Sequence, residues 1–412
     1  MQIFQIIHRQ LGTMPHLIAA CIIYCHLFLS VTTVIASDKE LTVKVRMDKL
    51  ITSAKENIVA EKWEEAVKDF GKLMRMGVKL PDKFYFQYGL VLYKMGDYEK
   101  SLISLKRYLK LAGENGKYYK TALNLVNKFD DKEGEEEHTL TEVLMQIEKN
   151  MVLIKGGCFK MGNRFDDGNK DEKPVHKVCV DDFCIGKYEV TVGEFRMFVD
   201  DTGYKTEAEE KGGMQHWDGE EWEKKVDVYW DNTGFLQTES QPVVGVSWND
   251  TQGFIKWLNI KSGKSFRLST EAEWEYAARS RGKKYKYSWG NGEPSGNVAD
   301  KTTKKTFSRW ITWEGYDDGY LFTAPVGSFE PNKLGLYDMT GNVWEWCSDW
   351  YDKEYYKKSE KQNPLGPPGG AHRVNRGSCW HCGPELNRVT FRSYIYADYR
   401  FITLGFRLAM TP

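Results

Sequence analysis

The sequence predicts an α+β chain in which a small all-α module precedes a larger domain of short strands, few helices and long irregular stretches. Three observations carry that expectation. Apolar residues recur at helical spacing through much of residues 40–129. From about Asn150 onward the chain is rich in glycine and tryptophan, and the long helical pattern gives way to short apolar segments. Inside that region two capping boxes, Thr191-x-x-Glu194 and Thr270-x-x-Glu273, mark isolated helices.

With 412 residues the chain exceeds one ordinary domain, and its 41% hydrophobic and 14% aromatic content can build a sizeable core. The 58 basic and 58 acidic residues cancel, so no global field favours nucleic acid or an anionic membrane.

Leu17 to Ala36 is almost unbroken apolar sequence after a segment carrying Arg9, and Val34-Ile35-Ala36 precedes Ser37 as a signal-peptidase site would. Residues 1–36 are therefore expected to be an export signal, which places the mature protein in the periplasm or outside the cell. The run is long enough to serve as a membrane anchor if it is retained. Ile18-Ala19-Ala20-Cys21 imitates a lipoprotein site, but most of the apolar run follows it.

Residues 37–129 read as a helical module. The segment from Lys62 to Phe70 recurs from Asp97 to Leu105, so that Trp63 matches Tyr98, Ala66 matches Ser101 and Phe70 matches Leu105. That period is close to the roughly 34 residues of a tetratricopeptide repeat. Tyr85, Gly89 and Leu92 fall near the aromatic, glycine and large positions of its first helix. Such repeats do not bury their faces alone. The module is expected either to hold a polypeptide partner or to dock as a plain helical hairpin on the following domain. Residues 130–149 combine a charged stretch, Asp130 to Glu137, with a short helix from Thr139 to about Lys149.

The domain of residues 150–412 should carry a third helix, starting near Asn249 or Asp250 and presenting Phe254, Trp257 and Leu258. Of the eight cysteines, Cys21 and Cys25 lie in the leader, which leaves six. Export permits disulfides. Cys158 and Cys179, on what read as neighbouring strands, are the first candidate pair; the alternative is that they are small buried apolar residues.

An ordered series of segments runs through this domain. It comprises Gly156-Gly157-Cys158-Phe159-Lys160-Met161-Gly162, Pro174-Val175-His176-Lys177-Val178, Tyr188-Glu189-Val190-Thr191, and Pro242-Val243-Val244-Gly245-Val246-Ser247-Trp248. It continues with Arg267-Leu268-Ser269-Thr270-Glu271-Ala272-Glu273-Trp274-Glu275, Gly341-Asn342-Val343-Trp344-Glu345-Trp346 and Gly405-Phe406-Arg407. In this order the segments resemble the formylglycine-generating enzymes, or sulfatase-modifying factors. The resemblance implies an irregular C-type-lectin-like fold.

It also implies calcium. Asp338 and Glu345 offer carboxylates, and Gly341 and Val343 between them can turn carbonyls inward. The resemblance assigns Asp338, Gly341, Val343 and Glu345 to one calcium site, and Asn297, Val298, Asp318 and Tyr320 to a second. Otherwise Asp338 and Glu345 are turn and capping residues, and Trp344 and Trp346 are expected in the core.

Copper-dependent members of the family hold Cu(I) between two cysteines and oxidise a substrate cysteine to formylglycine. Soft Cu(I) prefers thiolates. Cys382 matches the first ligand, but the second falls on Asn387, and Cys379 and Ser378 stand where the family has serine and glycine. The departure implies loss of the standard oxidase site. Cys379-Trp380-His381-Cys382 offers a substitute pair for redox or soft-metal chemistry, against a disulfide or two surface thiols. Asp166-Asp167-Gly168-Asn169 reads as a solvated loop.

The expectation is thus an exported, calcium-stabilised domain that binds a polypeptide or other ligand, without the copper reaction. One alternative is an active sulfatase-maturing oxidase using Cys379 and Cys382. Another is a diversified lectin-like binding protein of a retroelement, prompted by the tyrosine-rich Ser393-Tyr394-Ile395-Tyr396-Ala397-Asp398-Tyr399, with Arg388, Arg392, Arg400 and Arg407 as framework.

Overall fold

A computed structural model describes residues 43–76, 78–130, 140–217 and 221–412. The apolar segment expected to be an export signal, the acidic stretch after Asp130 and Thr139 lie outside the described residues. Among those described, no helix is long and apolar enough to cross a membrane. The chain divides into two compact units at Met76/Gly77.

In the first unit a helix over 43–59 is followed by the helix Trp63–Arg75. Ala66, Phe70, Leu73 and Met74 recur at helical spacing and are buried, as is Ala54. Asp69 ties the two helices, accepting from Ser53 Oγ at 2.6 Å and Asn57 Nδ2 at 3.0 Å.

The second unit opens with helices Asp82–Met95, Tyr98–Ala112 and Tyr119–Asp130. Gly89 lets the first two approach closely: a Cβ there would lie 2.8 Å from Leu105 Cγ. Ser101 and Ser104 hydroxyls donate to the Gly89 and Tyr85 carbonyls across the same seam, each at 2.8 Å. The helices join the following domain through Arg107, whose Nη1 donates to Asp231 O at 2.9 Å.

After the helix Leu140–Lys149, that domain is built on two four-stranded sheets and two hairpins. One sheet has the order β1 (Met151–Ile154), β4 (Phe183–Gly186), β12 (Leu408–Met410), β7 (Phe266–Leu268). The other has the order β10 (Ser393–Tyr396), β9 (His372–Arg376), β8 (Trp344–Trp350), β11 (Leu404–Phe406), which makes β10 an edge strand. Hairpin β2–β3 (Gly157–Met161, His176–Val180) places Cys158 opposite Cys179, and the two form a disulfide. Strands β5 (Met214–Trp217) and β6 (Trp222–Lys225) form the second hairpin.

Both expected capping boxes are present, at Thr191/Glu194 and Thr270/Glu273. Each supplies about 1 kcal/mol by satisfying helix N-terminal amides. The third helix, Trp248–Ser262, starts slightly earlier than expected because Ser247 is its N-cap and Asp250 completes a capping box. Phe254, Trp257 and Leu258 are buried as expected. The segment 166–169 is not simply solvated. Asp167 accepts from Asn163 Nδ2 at 2.9 Å, and Asn169 caps the turn that carries buried Glu172.

Buried arginine–carboxylate forks lock the long irregular stretches. Arg388 grips Glu172 at 2.5 and 2.9 Å, and Arg392 grips Glu271 at 2.7 and 2.9 Å. Arg376 bridges Glu271 and Glu275 at 2.7 and 2.8 Å. Fork geometry gives such pairs their directionality.

Candidate functional site

The turn after β9 brings Cys379 and Cys382 together. Cys382 N–H donates to Cys379 O at 3.0 Å, and no helix spans the pair. Ser378, which enters the turn, holds a left-handed φ of 71°, where a residue without a Cβ is at ease. The sulfurs of Cys379 and Cys382 are 2.9 Å apart, and His381 Nδ1 lies 3.0 Å from Cys379 Sγ. Both thiols are free and buried, which corrects the reading of them as surface groups.

Burial alone would raise the pKa of Cys382. Hydrogen bonding from Cys379, Ser378 and Trp344 more than offsets it, and the thiol sits below the ordinary range. Burial and the neighbouring sulfur push Cys379 up. His381 lies among Trp222, Trp380 and Trp310, with ring centroids 5.2, 5.1 and 5.0 Å away. These rings withhold water, and the resulting desolvation lowers the imidazole pKa to about 4.

Above the thiols opens a cleft of about 200 Å³, lined among others by Trp222, Trp344, His381, Ile395, Phe401 and Thr403. Pockets for drug-sized ligands measure roughly 300–1,000 Å³. This cleft matches one large side chain of a bound chain better than a whole small molecule. Trp344, expected in the core, lines it; Trp346 is core, its Nε1 donating to Val246 O at 3.1 Å. Thr403 and Trp344 both line the cleft and hydrogen-bond the thiols, so the buried sulfurs lie one hydrogen bond behind its wall.

Asn387 connects to Cys382 through Ser378, two hydrogen bonds away. Its Nδ2 donates to Ser378 Oγ at 2.8 Å, and its Oδ1 accepts from Trp313 Nε1 at 2.6 Å. The side chain is buried and engaged at both ends.

The other predicted residues form two adjoining constellations. Glu345 is fully buried and forked by Arg407 at 2.7 and 3.1 Å, with Trp274 Nε1 at 2.7 Å. Asp338 Oδ2 accepts from Gly327 N–H at 2.7 Å, while its Oδ1 is buried and takes no hydrogen bond from any described residue. Neither carboxylate oxygen of Glu189 takes one either. Sequence reasoning named Glu189 only as part of a segment and missed it as a site residue. Burial, then the charge of Asp338, push its pKa well above the carboxylate range despite Arg407. Burial raises Asp338 to about 6. Three carboxylates thus share one guanidinium.

In the second constellation Asp318 accepts from Tyr320 and Val298 N–H groups at 2.8 and 2.9 Å, and burial raises it to about 7. Asn297 Oδ1 is buried without a donor. The two constellations abut at Gly341, where a Cβ would lie 2.3 Å from Asn297 O.

Residues 138–412 match the family described as "Sulfatase-modifying factor enzyme 1-like domain". The chain is 37% identical over 297 residues to the formylglycine-generating enzyme of Streptomyces coelicolor, covering 63% of this chain and 89% of that one. It is 32% identical over 290 residues to "Inactive C-alpha-formylglycine-generating enzyme 2" of Mus musculus, covering 63% and 85%. Among solved structures it is similar to PvdO from Pseudomonas aeruginosa, with 30% identity and a TM-score of 0.52, covering 64% of this chain and 94% of that one.

Proposed function

Because this chain belongs to the sulfatase-modifying factor family, we propose that it is an exported protein whose C-terminal domain is a calcium-stabilised module binding a polypeptide or other ligand, without the family's usual paired-thiolate copper site. Membership leaves activity open, since relatives named for the enzyme and for an inactive counterpart are both similar to it. The observation that carries the reading is Asn387. It occupies the place of the second thiolate, its amide oxygen is a hard and poor ligand for Cu(I), and both ends of the amide are spoken for by Trp313 and Ser378. The cleft over the thiols, with its aromatic walls and the edge strand β10 beside it, supports an extended polypeptide that inserts one side chain.

Calcium suits both constellations. Asp338 and Glu345, with the carbonyls of Gly341 and Val343, would hold one ion, and Glu189 adds a carboxylate to that region. Asn297, Val298, Asp318 and Tyr320 would hold the other. The unpartnered oxygens of Glu189, Asp338 and Asn297 support this, because buried carboxylates sharing a single arginine favour a hard divalent cation.

The test is oxygen consumption with a cysteine-containing peptide and added copper. No conversion of cysteine to formylglycine is expected; oxygen-dependent turnover would refute the reading. One observation favours the oxidase instead: a second sulfur, Cys379, stands 2.9 Å from Cys382. That version requires Cys379→Ser to abolish turnover, and unchanged turnover eliminates it.

A further inference from the structure

We propose that Cys379, His381 and Cys382 form a binding site for one soft or borderline d10 cation, Cu(I) or Zn(II), with the cleft as its open side. Their three ligand atoms converge, all lying within 4.8 Å of one another. The donor set is two sulfurs and one imidazole nitrogen, the pattern that selects soft and borderline ions over calcium or magnesium. Neither Cys379 nor His381 belongs to the ligand pair that the family resemblance implies, so the site is particular to this sequence.

The geometry is close to what an ion requires. Metal–sulfur and metal–nitrogen bonds of about 2.3 and 2.0 Å in a trigonal plane set the two sulfurs roughly 4.0 Å apart and each sulfur roughly 3.7 Å from the nitrogen. The observed separations are 2.9 Å between the sulfurs and 3.0 Å from Cys379 Sγ to His381 Nδ1. These side chains need part by only about 1 Å. In the metal-free state thiol protons hold these atoms together as hydrogen bonds. Binding replaces both protons with the cation and releases them to solvent. Two thiolates then neutralise Zn(II) and leave one negative charge with Cu(I), beside hydrogen bonds from Ser378, Trp344 and Thr403.

The surroundings fix the ligands. The turn closed by Cys382 N–H to Cys379 O sets the spacing, and three indole rings clamp His381. The sulfurs themselves are buried, while His381 borders the cleft through which an ion and a fourth ligand would arrive. Two thiolates, one imidazole and an open position resemble a reactive centre more than a closed structural one.

The inference is independent of the proposed function. Peptide turnover would end the non-oxidase reading and leave the ion site standing; failure to bind an ion would end this inference alone.

The experiment uses the full chain, reduced, stripped of metal and kept anaerobic. Cu(I) and Zn(II) are titrated separately against chromophoric chelators, with near-ultraviolet absorption reporting thiolate-to-metal charge transfer. One equivalent of the tighter ion is expected, and the competition shows which it is. Cys379→Ser and His381→Gln should each weaken binding by more than about 100-fold, since even outer-shell partners cost ~10–100-fold. Cys184→Ser, outside the site, should change nothing. His381→Gln keeps the test decisive if the cysteine variant misfolds. Binding of neither ion by the reduced protein, or undiminished binding by a folded Cys379→Ser or His381→Gln variant, overturns the proposal. So does a Cys379–Cys382 disulfide that reductant cannot open.

Discussion

Asn387 donates its side-chain N–H to Ser378 Oγ at 2.8 Å, and the same hydroxyl hydrogen-bonds Cys382. The position that would carry a second thiolate has become part of the wall that holds the first. Ser378 accepts a left-handed backbone to supply that hydroxyl, at a position where the resemblance implies glycine. The two departures from the family pattern therefore belong to one local structure.

Asn387→Ala should destabilise the domain by about 1–3 kcal/mol, because Trp313 Nε1 and the Ser378 hydroxyl lose buried partners. Urea unfolding should show a lower midpoint with an unchanged slope. A midpoint equal to that of the parent chain would mean the amide contributes nothing to the wall.

The sequence made local features legible and left convergent ones hidden. Thr191/Glu194 and Thr270/Glu273 announced their helices because a capping box is complete within four residues. Cys158 and Cys179 could be paired because their strands are close in sequence and adjacent in space. Glu189 gave no comparable sign: it meets Asp338 and Glu345 from a distant segment, and only the missing hydrogen-bond donors betray it. Trp344 was placed in the core by its type; it shares a face of β8 with the buried Trp346, but it opens the strand and there borders the cleft. His381 sat inside a recognised Cys-x-x-Cys, yet nothing in that spacing reveals that its ring leans on Cys379.

Calcium should raise the melting temperature and chelation should lower it. At a free concentration about 100-fold above Kd, one ion contributes about 2.7 kcal/mol, or roughly 5–10 °C for a domain of this size. Glu189→Gln tests the assignment. Its carboxyl is pushed well above the carboxylate range while no ion is bound, so the change should matter little in chelator and should shrink the calcium-induced gain. Scanning calorimetry with and without calcium decides, and an unaltered gain in the variant would remove Glu189 from the site.

Asp349 supplies a pH signature away from those constellations. Burial and the charge of Glu271 raise its pKa to about 7, although Glu271 N–H and Ser348 Oγ donate to it at 2.9 and 3.0 Å. An unfolded aspartate titrates near ~3.9. Between those values the folded chain binds the extra proton, so this residue's contribution is fully present below pH ~4 and is lost as pH rises toward about 7. Asp349→Asn should remove about 2–4 kcal/mol of that decline. Unfolding free energies at pH 5 and pH 8 should differ less in the variant than in the parent. Parallel pH profiles would show that the carboxyl does not titrate in this window.

Arg407 is buried beside the carboxylates of Glu345, Glu189 and Asp338. It forks Glu345 and also donates to Gly186 O at 2.9 Å and Tyr337 O at 2.8 Å, joining β8, β4 and the segment that leads to Asp338. Arg407→Met leaves Glu345 charged and unpaired among Glu189 and Asp338, at a cost of about 3–5 kcal/mol. Lysine cannot repeat a planar fork to three partners, so Arg407→Lys should recover only part of the loss. If carboxylate repulsion is the cause, the Arg407→Met variant should regain more stability from added calcium than the parent chain does, because the ion then supplies the missing positive charge. Denaturant titrations in calcium and in chelator read that difference. An equal calcium gain in both proteins would show that Arg407 acts through its carbonyl contacts and not through the charge balance of the cluster.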